Sequence, residues 1–436
     1  MNKLKIIALS TLLGIIPLGC SKVELDNNRC ANTPDNNICI YRVTTKADTV
    51  TLRVKVLDNE RVPIEGLNKN DFRINTTNGK GETVRLNPSE ITLLSSEQSK
   101  PDPAKLVMLL DMSGSMKNED SAGIKKLDGA VGGVREFINE VKGDNWDVQI
   151  SIVPFGEKGG GCEKEFPVNA SVIDENIRPS WSPDLSQQLD KLANVDICSQ
   201  TNIYQPLGEA VNYLGNLQQA KNDKSPPPRL AVILLSDGYD VTNDRRDESE
   251  RFDRLLEVFR LYPKVTVHTM GYGEKMKELR DRIGCRLSDN ELTVDNLKKC
   301  RSNIDSYIVD EPRLKQIADA TRGINAFPAD AKAVVDTLRK FLSTLREYEI
   351  EYKQPGARRS GNYKVTVSVN SPYRGLRNVK SEPKPYRLDT FDYIALPLPE
   401  RLPILGSILI LGLVTMIPFI WWSNQLKDSS LRNLNS

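Results

Sequence analysis

The stretch LVMLLDMSGSM, Leu106–Met116, is an apolar run that ends in an acid and two hydroxyls, Asp111, Ser113 and Ser115, with Gly114 between the serines. A short, continuously apolar segment bounded in this way reads as a strand buried on both faces, as in a parallel sheet. Such a strand needs neighbours of its own kind and helices to cover it, and the chain supplies both. Ile124, Leu127, Val131, Val134, Phe137, Ile138 and Val141 follow at helical spacing, and Asp147–Phe155 reads as a second strand. Helical patterns at Leu185–Leu192 and Leu207–Leu217 lead to a third apolar strand, Leu230–Leu235, which also ends in a serine and an acid, Ser236 and Asp237. Phe252, Leu255, Leu256 and Phe259 mark a further helix face, and Val265–Met270 a further strand. A helix at Leu314–Ala320, a short strand at Ile324–Phe327 and a helix at Ala329–Leu345 close the series. This alternation predicts an α/β fold over residues 104–346, a doubly wound and mainly parallel sheet with helices on both faces.

The flanks have a different rhythm. Val50, Leu52, Val54 and Val56 share one face of an alternating strand. Pro63, Gly66 and Asn75–Gly81 punctuate shorter strands after it, so residues 49–98 are expected to form a small β domain. Residues 21–48 read as a polar spacer. Tyr348–Tyr352 and Tyr363–Val369 alternate around Pro355–Gly361, which predicts a β hairpin within an extension over 347–390.

Both ends depart from a soluble composition. Lys3 and Lys5 precede an apolar run from Ile6 to Leu18 and then Gly19-Cys20, the layout of a secretory signal over residues 1–20. The Gly-Cys ending resembles a bacterial lipoprotein box, which implies lipidation at Cys20; a plain cleaved signal or an uncleaved anchor is the alternative. Leu402–Trp422 carries no charged residue. About 20 apolar residues span about 30 Å of hydrocarbon, so this segment reads as a transmembrane helix with Trp421 and Trp422 at the interface. Lys427 and Arg432 against Asp428 beyond it, with Asp389, Asp392 and Glu400 before it, place residues 423–436 in the cytoplasm. The bulk of the chain then faces the periplasmic or extracellular side of the cytoplasmic (inner) membrane, and an acylated Cys20 would share that membrane.

Seven cysteines leave six once Cys20 is set aside. None has CxxC spacing, so structural disulfides outside the cytosol are expected. Short loops favour Cys30 with Cys39, Cys162 with Cys198 and Cys285 with Cys300, one connectivity among many. Lys plus Arg at 60 against Asp plus Glu at 58 gives a net charge of +2 with no basic stripe, which argues against a nucleic-acid partner.

Ligands of open parallel sheets sit at the carboxyl ends of the strands. Asp111 and Asp237 each stand at such an end, Ser113 and Ser115 lie on the loop leaving the first strand, and Thr201 lies in SQTNIYQPL ahead of the Leu207 helix. Two carboxylates and three hydroxyls on one rim make an oxygen-only set suited to a hard cation. DMSGS resembles the DxSxS signature of von Willebrand factor A domains, with which their metal-ion-dependent adhesion site (MIDAS) begins. TNI and SDG match the family's threonine and second-aspartate motifs in the expected order, and the resemblance covers residues 104–346. It implies Ser113, Ser115 and Thr201 as hydroxyl ligands, with Asp111 and Asp237 binding Mg2+ (or Mn2+ or Ca2+) directly or through water. Cys198-Ser199-Gln200 replaces the usual glycines before the threonine. VKVLDNERVPIEGLNKNDFRI and EYEIEYKQPGARRSGNYKVTVSV resemble the leading β region and trailing hairpin of bacterial exported proteins with such domains.

Hydroxyls coordinate without adding charge, so the ion stays electrophilic and can accept an Asp or Glu carboxylate from a protein partner, at about 2.1 Å for octahedral Mg2+. Catalysis has little to work with. Ser113 occupies the position where a DxD phosphatase carries its second acid, no GxxxxGK[ST] loop is present, and the single histidine, His268, lies inside a strand. The Gly159–Gly161 run reads as a loop tip and Arg358-Arg359 as a solvated turn. The expected protein is a membrane-anchored, non-enzymatic adhesion module. The alternative is a membrane-complex assembly or stress-response component in which the ion is mainly structural. Loops stapled at Cys162–Cys198 and Cys285–Cys300 would shape the binding rim.

Overall fold

The computed structural model describes residues 37–388, apart from 60, 97, 100, 144–145, 160, 162, 220–227, 238, 245, 274, 302–308, 358–360 and 373–375, together with most of 406–426. The first strands are β1 (Ile38–Lys46), β2 (Thr49–Val56), β3 (Phe72–Asn78), β4 (Thr83–Arg85) and β5 (Ile91–Leu94). An alternating α/β segment follows: β6 (Ala104–Asp111), α1 (Lys126–Gly143), β7 (Val148–Phe155), α2 (Ala170–Asn176), β8 (Ile177–Pro179), α3 (Pro183–Ala193), α4 (Tyr204–Gln219) and β9 (Arg229–Ser236). It continues through α5 (Glu248–Leu261), β10 (Val265–Gly271), α6 (Met276–Arg282), α7 (Val294–Cys300), α8 (Glu311–Thr321), β11 (Asn325–Ala326) and α9 (Ala331–Ser343). The last strands are β12 (Tyr348–Lys353), β13 (Asn362–Ser371), β14 (Leu376–Lys380) and β15 (Lys384–Arg387).

The central sheet runs β11-β10-β9-β6-β7-β8. Every pairing in it is parallel except that of β8, which closes one edge antiparallel to β7. β6 and β9 are buried along almost their whole length, as continuous apolar runs require. Side chains of α1, α3 and α9 cover one face and those of α2, α4, α5 and α8 the other, giving two cores on either side of one sheet. The mixed α/β body with a parallel sheet is thus present, and β6 and β9 stand side by side at its centre.

The flanking strands do not form two separate units. β12 pairs with β2 and β5, and β13 pairs with β3, so chain segments before and after the α/β body build one sandwich around a shared core. This corrects the expectation of a small β domain and a separate hairpin. β12 and β13 lie in different sheets instead of pairing across the turn at Gly356. The physical reason is burial: each flank carries apolar faces, such as Leu52 and Val54 or Val365 and Val367, that a two-stranded ribbon leaves in water. The expected spacer also changes, because Ile38–Lys46 is an edge strand paired with β2.

The two bodies meet at a charged seam. Arg229, at the start of β9, pairs with the fully buried Glu347 at the exit to β12 and lies 3.9 Å from Asp102 at the entry to β6. Asp102 also takes Arg42 of β1 at 2.5 Å, and the Arg229 guanidinium sits 4.3 Å from the centre of the Tyr41 ring.

Among the described residues no helix is long and apolar enough to cross a membrane. The segment expected to do so, 402–422, lies partly outside them; its described residues are helical, with Ile410, Leu411, Ile417, Phe419, Trp421 and Trp422 all more than half exposed. The signal region with Cys20, and the tail from 427, fall outside the described residues. Cys285 and Cys300 are disulfide-bonded as expected. Cys39 and Cys198 are also in disulfides, while Cys30 and Cys162 lie outside the described residues.

Candidate metal centre

β6 and β9 run in register with Leu110 opposite Leu235, so their carboxyl ends deliver Asp111 and the Ser236-Asp237 pair to one point on the rim. Asp111 is closed in by its own loop: its Oδ1 accepts from the Ser113 amide at 2.8 Å, a turn that aspartate forms readily. Its Oδ2 accepts from the Ser236 hydroxyl at 2.6 Å. The Ser113 and Ser115 hydroxyls lie 2.9 Å apart, and Ser115 donates to Asp237 Oδ1 at 2.7 Å. Lys126, the first residue of α1, reaches Asp237 Oδ2 at 2.7 Å. Both aspartates are fully buried.

Thr201 reaches the same rim through its neighbours. Ser199 donates from its hydroxyl to the Met112 carbonyl at 2.7 Å and accepts the Gly114 amide on its own carbonyl at 3.2 Å, tying the Thr201 loop to the DMSGS loop. Gly156 permits that approach, because a Cβ there would lie 2.0 Å from Ser199 Oγ. The Thr201 carbonyl accepts from the Val241 amide at 2.6 Å. Asp240 Oδ1 accepts from the amides of Ile203 and Tyr204 at the start of α4, at 2.6 and 3.1 Å, while Arg251 holds its other oxygen at 2.9 Å.

Four of the residues singled out from sequence therefore share one hydrogen-bonded cluster, and the fifth stands on a loop fastened to it. Ser236, Lys126, Asp240 and Ser199 join them without having been anticipated. Ser236 adjoins a predicted ligand and had a signal in the repeated strand-end serine. Lys126 had none, since the Lys125-Lys126 pair reads as the wet start of a helix.

Burial first, then the neighbouring Asp237 charge, pushes the Asp111 carboxyl up to about 7, against the pull of hydrogen bonds from Ser236 and Ser113. Two adjoining buried carboxylates carry one negative charge more than the single Lys126 ammonium offsets, which leaves room for a further cation. The donor set fits a hard dication, being oxygen alone and more hydroxyl than carboxylate. Among the described residues no group of three or more His, Cys, Asp or Glu could hold a metal ion, so an ion at this rim depends on the hydroxyls. Two further oxygens on the Thr201 loop, Gln200 Oε1 and Asn202 Oδ1, are buried without a hydrogen-bond partner among the described residues.

His268 serves the fold. Its Nδ1 accepts from the Ile324 amide at 3.1 Å, its ring stacks on Phe341 at 4.8 Å, and burial pushes its pKa down to about 3. The segment carrying the Cys285–Cys300 disulfide follows β10, so it springs from the same edge of the sheet as Asp237, around a small core of Leu279 and Leu297.

No family model matches this chain, and no curated protein does either. Among solved structures, the pilus adhesin SpaC from Lactobacillus rhamnosus GG aligns at 12% identity and TM-score 0.37, over 81% of this chain and 48% of that one. Proximal thread matrix protein 1 from the mussel byssus, in a structure with a zinc-occupied MIDAS motif, aligns at 15% identity and TM-score 0.31, over 56% of this chain and 48% of that one. A second crystal form of it aligns at 14% identity and TM-score 0.31. The chain spans about half the length of these proteins. At such scores the likeness is remote, and the reading of the site rests on its own residues.

Proposed function

We propose that this chain is a membrane-anchored, extracytoplasmic module of the von Willebrand factor A type that binds a protein partner through a divalent ion. One observation carries the reading: Asp111, Ser113, Ser115 and Asp237 gather into a single cluster of oxygen donors at the ends of adjacent parallel strands, with the Thr201 loop fastened beside it. In this reading Asp111, Asp237, Ser113, Ser115 and Thr201 hold Mg2+, or Mn2+ or Ca2+, and the ion supplies an electrophilic position for an Asp or Glu carboxylate of the partner. The membrane anchor in this reading is the uncharged sequence Leu402–Trp422, with Cys20 lipidation as a second tether. No catalytic step is assigned.

The test is capture of partners from membranes with wild-type protein in Mg2+, with wild-type protein in chelator, and with Asp111→Ala in Mg2+. Loss of capture in the last two, with the fold intact by circular dichroism, supports the reading. Capture that persists in chelator transfers the ion to a structural role in complex assembly. Calorimetry that detects no uptake of magnesium, manganese or calcium refutes the reading outright.

A further inference from the structure

The segment that leaves β10 is closed into a lobe by the Cys285–Cys300 disulfide, which holds the two Cα atoms 5.9 Å apart. Its core is small: Leu279 of α6 and Leu297 of α7 are fully buried, and Tyr239, two residues beyond Asp237, packs against them. The lobe therefore rests on the loop that carries the second aspartate of the rim. Its charges are sorted by sign. Within three residues of either cysteine stand Arg282, Arg286, Lys298, Lys299 and Arg301, and no Asp or Glu. All five are exposed. Lys plus Arg is 60 against Asp plus Glu at 58 over the whole chain, so a patch of cations without acids is a local departure. Acids further along the lobe serve other groups: Asp281 takes Arg280 at 2.7 Å, Asp289 takes Arg280 at 2.5 Å and Lys277 at 3.3 Å, and Glu291 accepts from the Ser288 hydroxyl at 2.7 Å. The disulfide joins what the sequence separates, setting the cations around Cys285 beside those around Cys300. Like charges so gathered repel, and two buried leucines offer little to oppose them. A surface that serves solubility alone gains nothing from keeping acids out.

We propose that this disulfide-closed lobe is a second docking element beside the metal centre, and that the partner presents its coordinating Asp or Glu within a run of further acidic residues, which lie against Arg282, Arg286, Lys298, Lys299 and Arg301. The inference deepens the function proposed above and rests on it for the place of the first carboxylate; the attraction of the patch for acids needs no ion. A single metal position cannot tell an acidic run from an isolated acid. The patch can, because its attraction grows with each added carboxylate, and it also speeds encounter at low salt. Contact with Tyr239 favours an acidic protein segment over an anionic membrane surface, since it ties the patch to a rim that itself takes a carboxylate.

The full-length chain in nonionic detergent is titrated against two fluorescent decapeptides, one all glutamate and one with a single glutamate among glutamines, in Mg2+ and in chelator, with anisotropy as the readout. In Mg2+ the wild type is expected to bind the all-glutamate peptide about tenfold more tightly than the other. That preference should vanish between about 0.01 M and about 1 M salt, as the screening length falls from about 30 to about 3 Å. Exposed ion pairs are each worth a factor of about 1.5–5, so Arg286→Glu with Lys299→Glu should weaken the all-glutamate peptide about tenfold and leave the other unchanged. Lys46→Glu with Lys353→Glu makes the same change of net charge at exposed positions of the sandwich and should alter neither. In chelator the all-glutamate peptide should still bind, weakly, and still respond to the lobe swap. A wild type that binds both peptides equally in Mg2+ overturns the proposal even if the variants do not fold, and leaves the metal reading intact. A folded lobe swap that keeps the preference does the same. Swap-sensitive binding of dihexanoyl phosphatidylglycerol, with none of the all-glutamate peptide, gives the patch to lipid headgroups and also overturns it. If instead Mg2+ strengthens neither peptide while the lobe swap still weakens the all-glutamate one, the metal reading falls and the patch stands.

Discussion

Replacing Asp111 by Asn should stabilise the metal-free protein, although Asp111 is a central residue of the site. Its carboxyl is buried beside Asp237 and is raised from 3.8 to about 7. For an acid whose folded-state pKa lies above its unfolded one, the folded state binds the extra proton between those values. Stability is therefore highest below the unfolded pKa and falls as pH rises toward the folded one. At about 1.4 kcal/mol per pH unit, the gap from 3.8 to about 7 comes to ~4 kcal/mol by pH 8, an upper bound on what the charge costs. Asparagine keeps an oxygen for the Ser113 amide and removes the charge, at the expense of the hydrogen bond from Ser236, worth about 1 kcal/mol. The net expectation is a gain of at most ~3 kcal/mol at pH 8 and little or none at pH 4. Hydrogen exchange at the amides of β6 and β9 reads this locally, without requiring the whole chain to unfold in two states. The measurement is made in chelator at both pH values. An Asn variant that exchanges faster than wild type at pH 8, or a difference independent of pH, would refute the argument. If the site holds Mg2+ as proposed, the order should invert in Mg2+, because the ion offsets the Asp111 charge that Lys126 leaves unbalanced in the wild type alone.

Other perturbations test the packing. Glu347→Gln leaves Arg229 buried with Asp102 at 3.9 Å as its remaining carboxylate, and should cost about 3–5 kcal/mol in the urea unfolding of the seam. A Cβ at Gly133 would lie 2.6 Å from Val334 Cγ1 where α1 crosses α9, so Gly133→Ala should lower stability by about 1–3 kcal/mol despite alanine's better helix propensity, read as a lower Tm. Cys285→Ser with Cys300→Ser opens a loop of sequence separation 15, removing about 3 kcal/mol from the segment that holds α6 and α7. Limited proteolysis should then cut that segment first, with β6 and β9 still protected.

The parallel sheet was legible because β6 and β9 are continuous apolar runs, a pattern that leaves few other structures open. The sandwich was not. Alternation in Val50–Val56 and Tyr348–Tyr352 tells which face each strand buries, yet says nothing of its partner, and these two pair across the whole α/β body. The Ile38–Lys46 strand was hidden for a related reason: its outer half, Tyr41–Lys46, is polar and half exposed, like a spacer. In the site, Asp111, Ser113, Ser115 and Asp237 showed themselves by standing where apolar strands stop. Lys126 did not, because a lysine's sequence signature is that of solvent, and only three-dimensional neighbours reveal a buried one. Asp240 was equally silent, since capping α4 from another loop leaves no local trace.

The sandwich sets an order of events in the birth of this molecule. A chain that emerges amino end first exposes β1–β5 long before β12–β15 arrive to pair with them. The α/β body comes out in between, with a sheet made wholly from its own residues, and can close on itself while the early strands still wait. Release of the last strands then acts as a clasp, fastening beginning to end. A ribosome or translocon that stalls before Tyr348 would hold a finished α/β head on an unfinished neck, its bare edges open to whatever strand came near.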